Sequence, residues 1–383
     1  MRILHIITAL HAEGAQMMLY KLLSRMERRR FDAAVISLSD RGALANKFAR
    51  INIPVHSINM KAGRPTPAGL IRLVRKVRQI KPDLIQGWMY HGNLAAQLSA
   101  ALAPARVPVL WNVRGSHYKL KEEKLETAAI IWLNAKLSGL ATRIINNSVV
   151  SASGHEQNLG YRADKRVIIP NGFDTSLFVP SAEARTSVRA ELGVAKDALL
   201  IGLFARFHPI KDHACFLQAA SQLMKTHTNI HFVLAGKGID SSNESLRNLV
   251  SRSGISTYVH LLGERSDMPR LSAAMDILTL TSLSEGFPNV IGEAMSCAVP
   301  CVVTDAGDSR WIVGSTGRII PPSDVSALVR MWQEMVEMGE ENRRTLGVLA
   351  RQRVVEHFSL DGIARQYEAL YEGVFSRGSG GTN

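Results

Sequence analysis

The sequence contains few cysteines and no long apolar run. Cysteine occurs three times in 383 residues, at Cys215, Cys297 and Cys301, and no two of them form a CxxC pair. Three thiols cannot all pair, so we expect reduced structural cysteines and a cytoplasmic protein. No run reaches the roughly 18 apolar residues of a membrane-spanning helix. The segment MRILHIITAL lacks the long apolar region and the cleavage site of a signal peptide.

Two kinds of cofactor site are also missing from the pattern. Histidines and cysteines occur nowhere at metal-ligand spacing, so we expect no metal cofactor. Gly236-Lys237-Gly238 follows a predicted strand but lacks the third glycine of a dinucleotide-binding turn. The sequence therefore does not support an NAD site.

Positive charge is present in excess, and it lies in one half of the chain. Residues 1–180 contain 26 Lys and Arg against 11 Asp and Glu, a net charge of +15, whereas residues 181–383 contain 20 against 22, a net charge of −2. This asymmetry predicts an anionic partner for the first half, which can be a nucleic acid, a phospholipid surface or a phosphorylated substrate.

Strand-like and helix-like segments alternate through both halves. The predicted strands are RILHIIT, FDAAVISL, DLIQGW, VPVLWNV and ATRIINNS, then LLIGLFA, IHFVLAG, YVHLLG, DILTLTS and PCVVTD. Such alternation predicts parallel sheets with helices on both faces. The chain is too long for one ordinary core. We predict an α/β protein with two doubly wound, Rossmann-like domains facing each other across a cleft, where ligands bind at the carboxyl ends of the strands.

The stretch SEGFPNVIGEA places Glu285 and Glu293 eight positions apart between a predicted strand and a predicted helix. Glu293 is expected in the first helical turn, where the helix dipole favours a carboxylate. Two carboxylates around a loop with free amides suit a polyhydroxylated ligand with anionic groups, such as a nucleotide sugar. The same spacing is compatible with a helix-capping acid and an unrelated surface glutamate.

Two further loops follow predicted strands. LLIGLFARFHPIKDH places Arg206 and Lys211 five positions apart, and two cations at a strand end can clamp a diphosphate. The alternative is a pair of solvated loop charges. TALHAEGAQMML places Gly14 between the first strand and a helix, where a turn can let phosphate approach backbone amides.

Together these stretches resemble the retaining GT-B glycosyltransferases of family 4, over essentially the whole chain and most strongly from 200 to 320. The resemblance implies that Arg206 and Lys211 hold the donor diphosphate, that Glu285 contacts the donor sugar and that Glu293 binds the ribose. It further implies that the loop of Phe287, Pro288, Asn289 and Val290 presents backbone amides to the donor. VIIPNGFDTSLF, LLGERSDMPRLSAAMD and PCVVTDAGDSRWIVG match other family segments, and Arg265 of the second is expected near the nucleotide.

The sequence departs from the family pattern at two places. Glu13-Gly14 stands where a Gly-Gly turn is usual, so only Gly14 carries over. Arg114 stands where many members have a histidine near the reacting sugar, with His117 three positions on and His91 at the end of another strand. Any of Arg114, His91 and His117 can take the role of the family's cleft histidine, and we include His91 among the catalytic candidates.

The resemblance also sets the expected domain boundaries. Residues 1–170 form the acceptor-binding domain and residues 171–359 the donor-binding domain. We expect a helix over 360–375 to pack back on the first domain. The composition of SRGSGGTN predicts a disordered tail over 376–383.

The segment LIRLVRKVRQIKPD has apolar residues at helical spacing with Arg72, Arg75, Lys76 and Arg78 between them. Such a helix can pack on a sheet with its basic face in solvent. It can also rest on anionic lipid. With the +15 half around it, we predict electrostatic docking on the inner face of the cytoplasmic membrane.

The resemblance implies a metal-independent, retaining transfer of a hexose or N-acetylhexosamine from a UDP- or GDP-sugar. The implied acceptor is a lipid-linked sugar in bacterial surface polysaccharide assembly (O-antigen, capsule or exopolysaccharide). Two alternatives stay open. One is a nucleic-acid-binding protein, although the basic residues lack interleaved aromatics and we expect no nucleic-acid partner. The other is a catalytically silent relative that acts as a scaffold.

Overall fold

The chain divides into two compact units in the computed structural model, which describes residues 1–11, 14–60, 66–102, 106–115 and 124–379. The first unit comprises Met1–Gly172 together with Leu360–Asn383, and the second comprises Phe173–Ser359. Each unit contains one sheet, and every strand pairing in both sheets is parallel.

The first sheet has seven strands in the order β3-β2-β1-β4-β5-β6-β7. The second has six strands in the order β10-β9-β8-β11-β12-β13. The strands are β1 Arg2–Ile7, β2 Asp32–Ser37, β3 Val55–Ser57, β4 Leu84–Trp88, β5 Val109–Val113, β6 Arg143–Asn146, β7 Arg166–Ile168, β8 Leu199–Phe204, β9 Ile230–Ala235, β10 Val259–Leu261, β11 Ile277–Leu280, β12 Cys301–Thr304 and β13 Arg318–Ile320.

Helices connect the strands and cover both faces of the sheets. They are α1 Gly14–Arg25, α2 Ala45–Arg50, α3 Pro67–Ile80, α4 Met89–Ala101, α5 Leu125–Leu137, α6 Val149–Leu159, α7 Ala182–Leu192, α8 His213–Leu223, α9 Glu244–Ser253, α10 Met268–Ala273, α11 Asn289–Ser296, α12 Ser309–Val313, α13 Val325–Glu337, α14 Gly339–Phe358 and α15 Leu360–Ser379. Among the described residues, no helix is both long enough and apolar enough to cross a bilayer.

The strand sequences explain why the sheets are buried on both faces. Every residue of β4, β5, β8, β11 and β12 is buried. Near-continuous apolar runs of this kind are typical of parallel sheets covered by helices. The predicted α/β class with two doubly wound, Rossmann-like units is confirmed.

The last helix belongs to the first unit. Ile363, Tyr367, Tyr371 and Val374 of α15 lie in the core formed with β1, β2 and α1, and the hydroxyl of Tyr371 donates to Oε1 of Gln86 at 2.6 Å. The helix extends to Ser379, into the segment 376–383 for which we predicted disorder. Residues 380–383 lie outside the described residues.

The basic helix α3 packs differently from the prediction of an apolar stripe available to lipid. Leu73 and Val77 are fully buried against the sheet, and Val74 is nearly so. The exposed residues are Arg72, Arg75 and Arg78, with Pro67, Ala68 and Gln79 toward the helix ends and one large apolar residue, Ile71, which is 52% exposed. The apolar stripe therefore packs into the core, and α3 offers a surface mainly its arginines and Ile71.

The order of connections reverses once in each sheet. In the first sheet the reversal lies between β1 and β4, and in the second between β8 and β11. At such a point the two loops that leave neighbouring strands turn to opposite faces, which opens a crevice at the carboxyl ends. Each unit therefore has one position that the fold itself favours for a ligand.

Candidate functional site

The reversal point of the second sheet brings together two of the predicted site residues. Lys211 follows β8, and Glu285 follows β11, the strand beside it. The ammonium group of Lys211 forms an ion pair with Oε1 of Glu285, with side chains that are 20% and 13% exposed. The hydroxyl of Ser282 donates to the same carboxylate oxygen at 2.6 Å. The glutamate is thus held in place by two donors, while its other oxygen has no partner among the residues that the structure describes.

Backbone contacts fix the loop that carries Lys211. Residues Pro209–Lys211 form a single 3₁₀ turn, and the carbonyl of Lys211 accepts a hydrogen bond from the Thr281 hydroxyl at 2.7 Å. The amide of Leu283 donates to the carbonyl of Ile210 at 2.8 Å. The loops after β8 and β11 are therefore bonded to each other, which sets the position of the lysine relative to the glutamate.

A glycine in a third loop supports the backbone of Glu285. Gly307 follows β12 and has φ of +58°, and a Cβ atom there would lie 2.4 Å from the carbonyl oxygen of Glu285 and 2.5 Å from that of Gly286. The amide of Asp308 donates to the Gly286 carbonyl at 2.9 Å. Only glycine satisfies both the backbone angle and the close approach.

Arg206 lies two residues after β8, on the same loop as Lys211. Its side chain is exposed, and within the described residues it has no hydrogen-bond or ion-pair partner. A cation of this kind beside a paired lysine can meet an anionic ligand without breaking an existing contact.

The loop before α11 holds the Phe287 side chain in the core of the second unit. The Phe287 side chain is 7% exposed and packs on Phe173, Trp311 and Phe358 at ring distances of 6.1, 5.8 and 5.9 Å. Phe287 can thus offer a ligand its backbone but not its ring.

Glu293 is not in the first turn of its helix. The helix begins at Asn289, with Pro288 as the N-cap residue, so Asn289 and Val290 occupy the first turn and Glu293 the second. The prediction was wrong because we started the helix too late. The dipole argument for Glu293 is correspondingly weaker. Its side chain is half-buried.

Arg265 is engaged in a network of ion pairs. Its Nε and Nη2 donate to Asp267, both at 2.7 Å, and Nη1 donates to Glu191 at 2.6 Å. Arg270 bonds the same two carboxylates. These pairs hold the pKa of Asp267 and of Glu191 below their usual values, chiefly through the Arg265 hydrogen bonds. The guanidinium connects α7 with α10, and we leave its side chain out of the donor site.

In the first unit, Gly14 and His91 lie at the reversal point. Gly14 begins α1 after β1, and a Cβ atom added to it would meet nothing within 4 Å. His91 follows β4 and is half-buried, and burial lowers its pKa, which favours the neutral ring. His117 and Glu13 lie outside the described residues.

Arg114 has a packing role that the sequence did not reveal. Its Nε donates to Asn112 at 2.8 Å and its Nη2 to the Tyr367 hydroxyl at 2.9 Å, while Nη1 bonds Asn171. The guanidinium also lies 5.0 Å from the Trp88 ring. Because all three nitrogens are engaged, Arg114 joins β5 to α15 and has little capacity left for a substrate.

Sequence reasoning missed Ser282, Thr281 and Gly307. The available signals were a serine three positions before Glu285 and a glycine just after a strand, and both are too common to single out. In the part of the chain that the structure describes, no three His, Cys, Asp or Glu side chains gather as metal ligands. Metal independence itself stays a prediction.

Comparison with known proteins identifies related sequences for both units. A family model described as Glycosyltransferase Family 4 matches residues 12–177, and one described as Glycosyl transferases group 1 matches residues 198–337. EpsF of Bacillus subtilis, whose name assigns it provisionally to the glycosyltransferases, is 25% identical over 350 residues, which are 88% of this chain and 86% of EpsF. The UDP-Gal:alpha-D-GlcNAc-diphosphoundecaprenol alpha-1,3-galactosyltransferase of Escherichia coli is 26% identical over 276 residues, 70% of each chain.

Solved structures extend the similarity to the fold. The Anabaena protein HepE in complex with UDP and glucose superposes with a TM-score of 0.79 and 26% identity, over 97% of this chain and 99% of HepE. Its complex with UDP alone has a TM-score of 0.83 at 24% identity, over 97% and 100% of the two chains.

Proposed function

The chain is a glycosyltransferase of family 4 with the GT-B fold, and we propose that it transfers a hexose or N-acetylhexosamine from a nucleoside diphosphate sugar to a lipid-linked sugar. Relatives named for galactosyl transfer to a diphosphoundecaprenol acceptor and for mannosyl transfer in lipopolysaccharide core biosynthesis support a role in bacterial polysaccharide assembly. The complexes of HepE with UDP and with UDP-glucose support a nucleotide sugar, with UDP or GDP as the carrier, as donor. Family membership favours this enzymatic role over the scaffold and nucleic-acid alternatives.

The observation that carries the proposal is the ion pair of Lys211 and Glu285 at the reversal point of the second sheet. Arg206 lies on the same loop as Lys211, and its cation has no partner among the described residues. A diphosphate placed there meets the two cations Arg206 and Lys211. It can bond them without fully breaking a contact that they make with the described residues. The sugar attached to it then lies against the glutamate and the amides before α11, and the ribose against Glu293.

The proposed reaction retains the anomeric configuration. The bond between the anomeric carbon and the diphosphate oxygen breaks, and the acceptor oxygen bonds that carbon on the face that the diphosphate leaves. A diphosphate oxygen takes the proton of the acceptor hydroxyl. Arg206 and Lys211 stabilise the charge that develops on the leaving group, which is the main way such preorganised cations lower a barrier. Burial lowers the pKa of His91, which favours the neutral ring, and a neutral ring can orient a sugar hydroxyl without adding charge.

A thermal-shift panel tests the donor class directly. UDP, GDP, UDP-glucose, UDP-galactose, UDP-N-acetylglucosamine and GDP-mannose are compared, because a ligand at 100 times its Kd adds about 2.7 kcal/mol of stability. We expect one nucleotide family to raise the melting temperature, and Lys211→Ala to abolish the rise. Stabilisation by none of them would refute the donor assignment.

We also propose that the first unit docks on anionic lipid, which would bring the enzyme to a lipid-linked acceptor at the cytoplasmic membrane. Supporting this are the +15 charge of residues 1–180 and the exposed arginines of α3. Helix α4 lies beside α3, and α5 lies beside α4. They carry the exposed Leu98 and Trp132, the latter 55% exposed. A tryptophan among cations is typical of surfaces that meet a bilayer interface.

A further inference from the structure

A cavity of about 390 Å³ lies in the second unit, away from the donor loops. Its lining includes Asp276 directly before β11 and Pro300 directly before β12. It is therefore at the amino ends of the strands, whereas Lys211 and Glu285 follow the carboxyl ends. Its volume falls within the range of small-molecule sites, about 300–1,000 Å³.

Three arginines and two carboxylates line this cavity. Arg185 pairs with Asp276 and lies 3.6 Å from Glu340, and Arg344 pairs with Glu340 at 2.8 Å. Asp276 also accepts from the buried Arg189 at 2.6 Å and from the Leu200 amide at 2.8 Å. Both carboxylates are therefore already engaged by other partners.

Arg343 is the arginine of this cavity that forms no ion pair with a described carboxylate. Its Nη1 donates to the carbonyls of Met335 and Val336 at 3.0 and 3.1 Å, near the end of α13. Within the described chain no carboxylate lies at ion-pair distance from it, and Nε and Nη2 have no hydrogen-bond partner. Burial lowers the pKa of Arg343 more than the charges of Asp276 and Glu340 raise it.

The unused edge of Arg343 is the Nε and Nη2 fork, which binds phosphate or carboxylate through two parallel hydrogen bonds. Met275, Val299 and Val348 contribute apolar surface to the same cavity. We propose that this cavity binds a small phosphorylated metabolite, with its phosphate on Arg343 and Arg344 and its carbon body on the apolar wall. The cavity is separate from the proposed donor site, because none of its lining residues belongs to that site.

Two elements connect the cavity with the donor loops. Strand β11 runs from beside Asp276 to the Thr281–Glu285 loop. Helix α11 runs from Asn289 to Ser296, next to Cys297 and Ala298 of the cavity wall. At about 1.5 Å per residue this helix is roughly 12 Å long. A ligand in the cavity therefore lies beside the start of β11 and the end of α11, and the segment that carries Glu285 runs between these two elements.

Calorimetric titration with inorganic phosphate tests the site. Because phosphate also suits the donor loops, the parent for this experiment carries Arg206→Gln and Lys211→Gln. We expect saturable binding to remain in that background and to weaken at least tenfold when Arg343→Gln is added. Arg330→Gln, which removes an exposed arginine of α13 outside the cavity, is the matched control and should bind as the background does.

A gain-of-binding variant guards against misfolding of Arg343→Gln. Glu340→Gln removes the carboxylate that occupies Arg344 and should increase phosphate affinity several-fold. Hexose 1-phosphate should bind more tightly than inorganic phosphate if the apolar wall contributes. Unchanged affinity in both Arg343→Gln and Glu340→Gln, or loss of all phosphate binding in the Arg206→Gln, Lys211→Gln background, would overturn the proposal. Loss of all binding in that background would not contradict the proposed donor site, because it would assign phosphate binding to Arg206 and Lys211.

Discussion

The ammonium group of Lys211 pairs with the one carboxylate oxygen of Glu285 that also accepts a hydrogen bond from Ser282. The two residues are 74 positions apart in the chain, and adjacent parallel strands bring them together. In this state the lysine charge is compensated by the glutamate. A bound diphosphate would compete for the lysine, so donor binding and the orientation of Glu285 are coupled.

Removing either cation should impair turnover far more than folding. We expect Arg206→Ala or Lys211→Ala to lower kcat/KM by roughly two to three orders of magnitude, the range for losing one preorganised charge stabiliser. Steady-state kinetics with the donor found in the thermal-shift panel provide the measurement. Lys225→Ala removes an exposed lysine of the same unit and should be neutral. A cation whose replacement leaves kcat/KM unchanged has no part in the mechanism.

The two glutamates should separate by role. Glu293→Gln should mainly weaken binding of the free nucleoside diphosphate, because a contact with the ribose persists through the reaction. Glu285→Gln should chiefly reduce kcat and leave affinity for the sugar-free nucleotide nearly intact, since its partner is the sugar. Calorimetry with the nucleoside diphosphate distinguishes them. Loss of nucleotide binding in Glu285→Gln would show that the two roles are reversed.

Metal removal should change neither activity nor donor affinity. The cations of Arg206 and Lys211 would supply the charge stabilisation that Mg²⁺ gives in other phosphate sites. Activity is measured after dialysis against EDTA and again after Mg²⁺ or Mn²⁺ is returned. Recovery that depends on the added metal would contradict this prediction.

The fold could be predicted from the sequence because its long elements carry their own signals. Buried strands such as β8 and β11 are continuous apolar runs, and the helices between them have a regular apolar face. The three-residue strands β3, β7 and β13 were missed, whereas the equally short β10 was predicted from the longer apolar stretch YVHLLG. Three residues are too few to show a periodic pattern.

The candidate site was predictable only as a set of residues. The spacing of Glu285 and Glu293 and of Arg206 and Lys211 is visible in one dimension, but their mutual pairing depends on strand order. Arg114 and Arg265 show the limit of this reasoning. Both follow strands as ligand-binding cations do, and yet each guanidinium is engaged by neighbours from distant segments. The sequence shows that a charged residue is present. Only the packed structure shows whether neighbouring residues already compensate that charge.

Docking of the first unit on lipid should depend on α3 and on salt. Binding to vesicles of phosphatidylglycerol and phosphatidylcholine should fall steeply as salt rises, because exposed charges are screened over about 8 Å at physiological ionic strength. Replacing Arg72, Arg75 and Arg78 with Gln should remove up to about 3 kcal/mol of binding, at about 1 kcal/mol for each cation near the surface. Sedimentation with vesicles measures both effects.

A charge-matched control keeps that test specific. Lys225, Arg247 and Arg252 are exposed in the second unit, and their replacement with Gln removes the same charge elsewhere. This control should bind vesicles as the parent does. Equal binding by the α3 variant and the parent, or binding insensitive to salt, would leave α3 as an ordinary helix with a solvated basic face.

Acid should destabilise the fold through histidines that are buried or half-buried. Burial lowers the pKa of His213 and His260 to about 4 and of His5 to about 3. The histidines of the unfolded chain bind protons below a pKa of about 6.5, whereas those of the native state stay unprotonated until lower pH. Their contribution to the free energy of unfolding is therefore complete above pH 6.5 and declines as the pH falls toward 4. His213 alone contributes up to about 1.4 kcal/mol per pH unit.

Urea unfolding at pH 7, 6 and 5 measures this decline. His213→Gln should show a smaller loss of unfolding free energy between pH 6 and 5 than the parent, whatever its stability at pH 7. An identical decline in the two proteins would mean that His213 titrates normally in the native state.

The position of α15 has a consequence for the order in which the protein can be made. Phe173–Ser359 is one continuous stretch, so the second unit has all its residues as soon as α14 has left the ribosome. The first unit begins earlier in the chain, yet Ile363, Tyr367, Tyr371 and Val374 of its core are translated afterwards. During synthesis the first unit is therefore begun first and completed last. Until residues 360–374 are translated, the apolar surface of its core that α15 covers stays exposed.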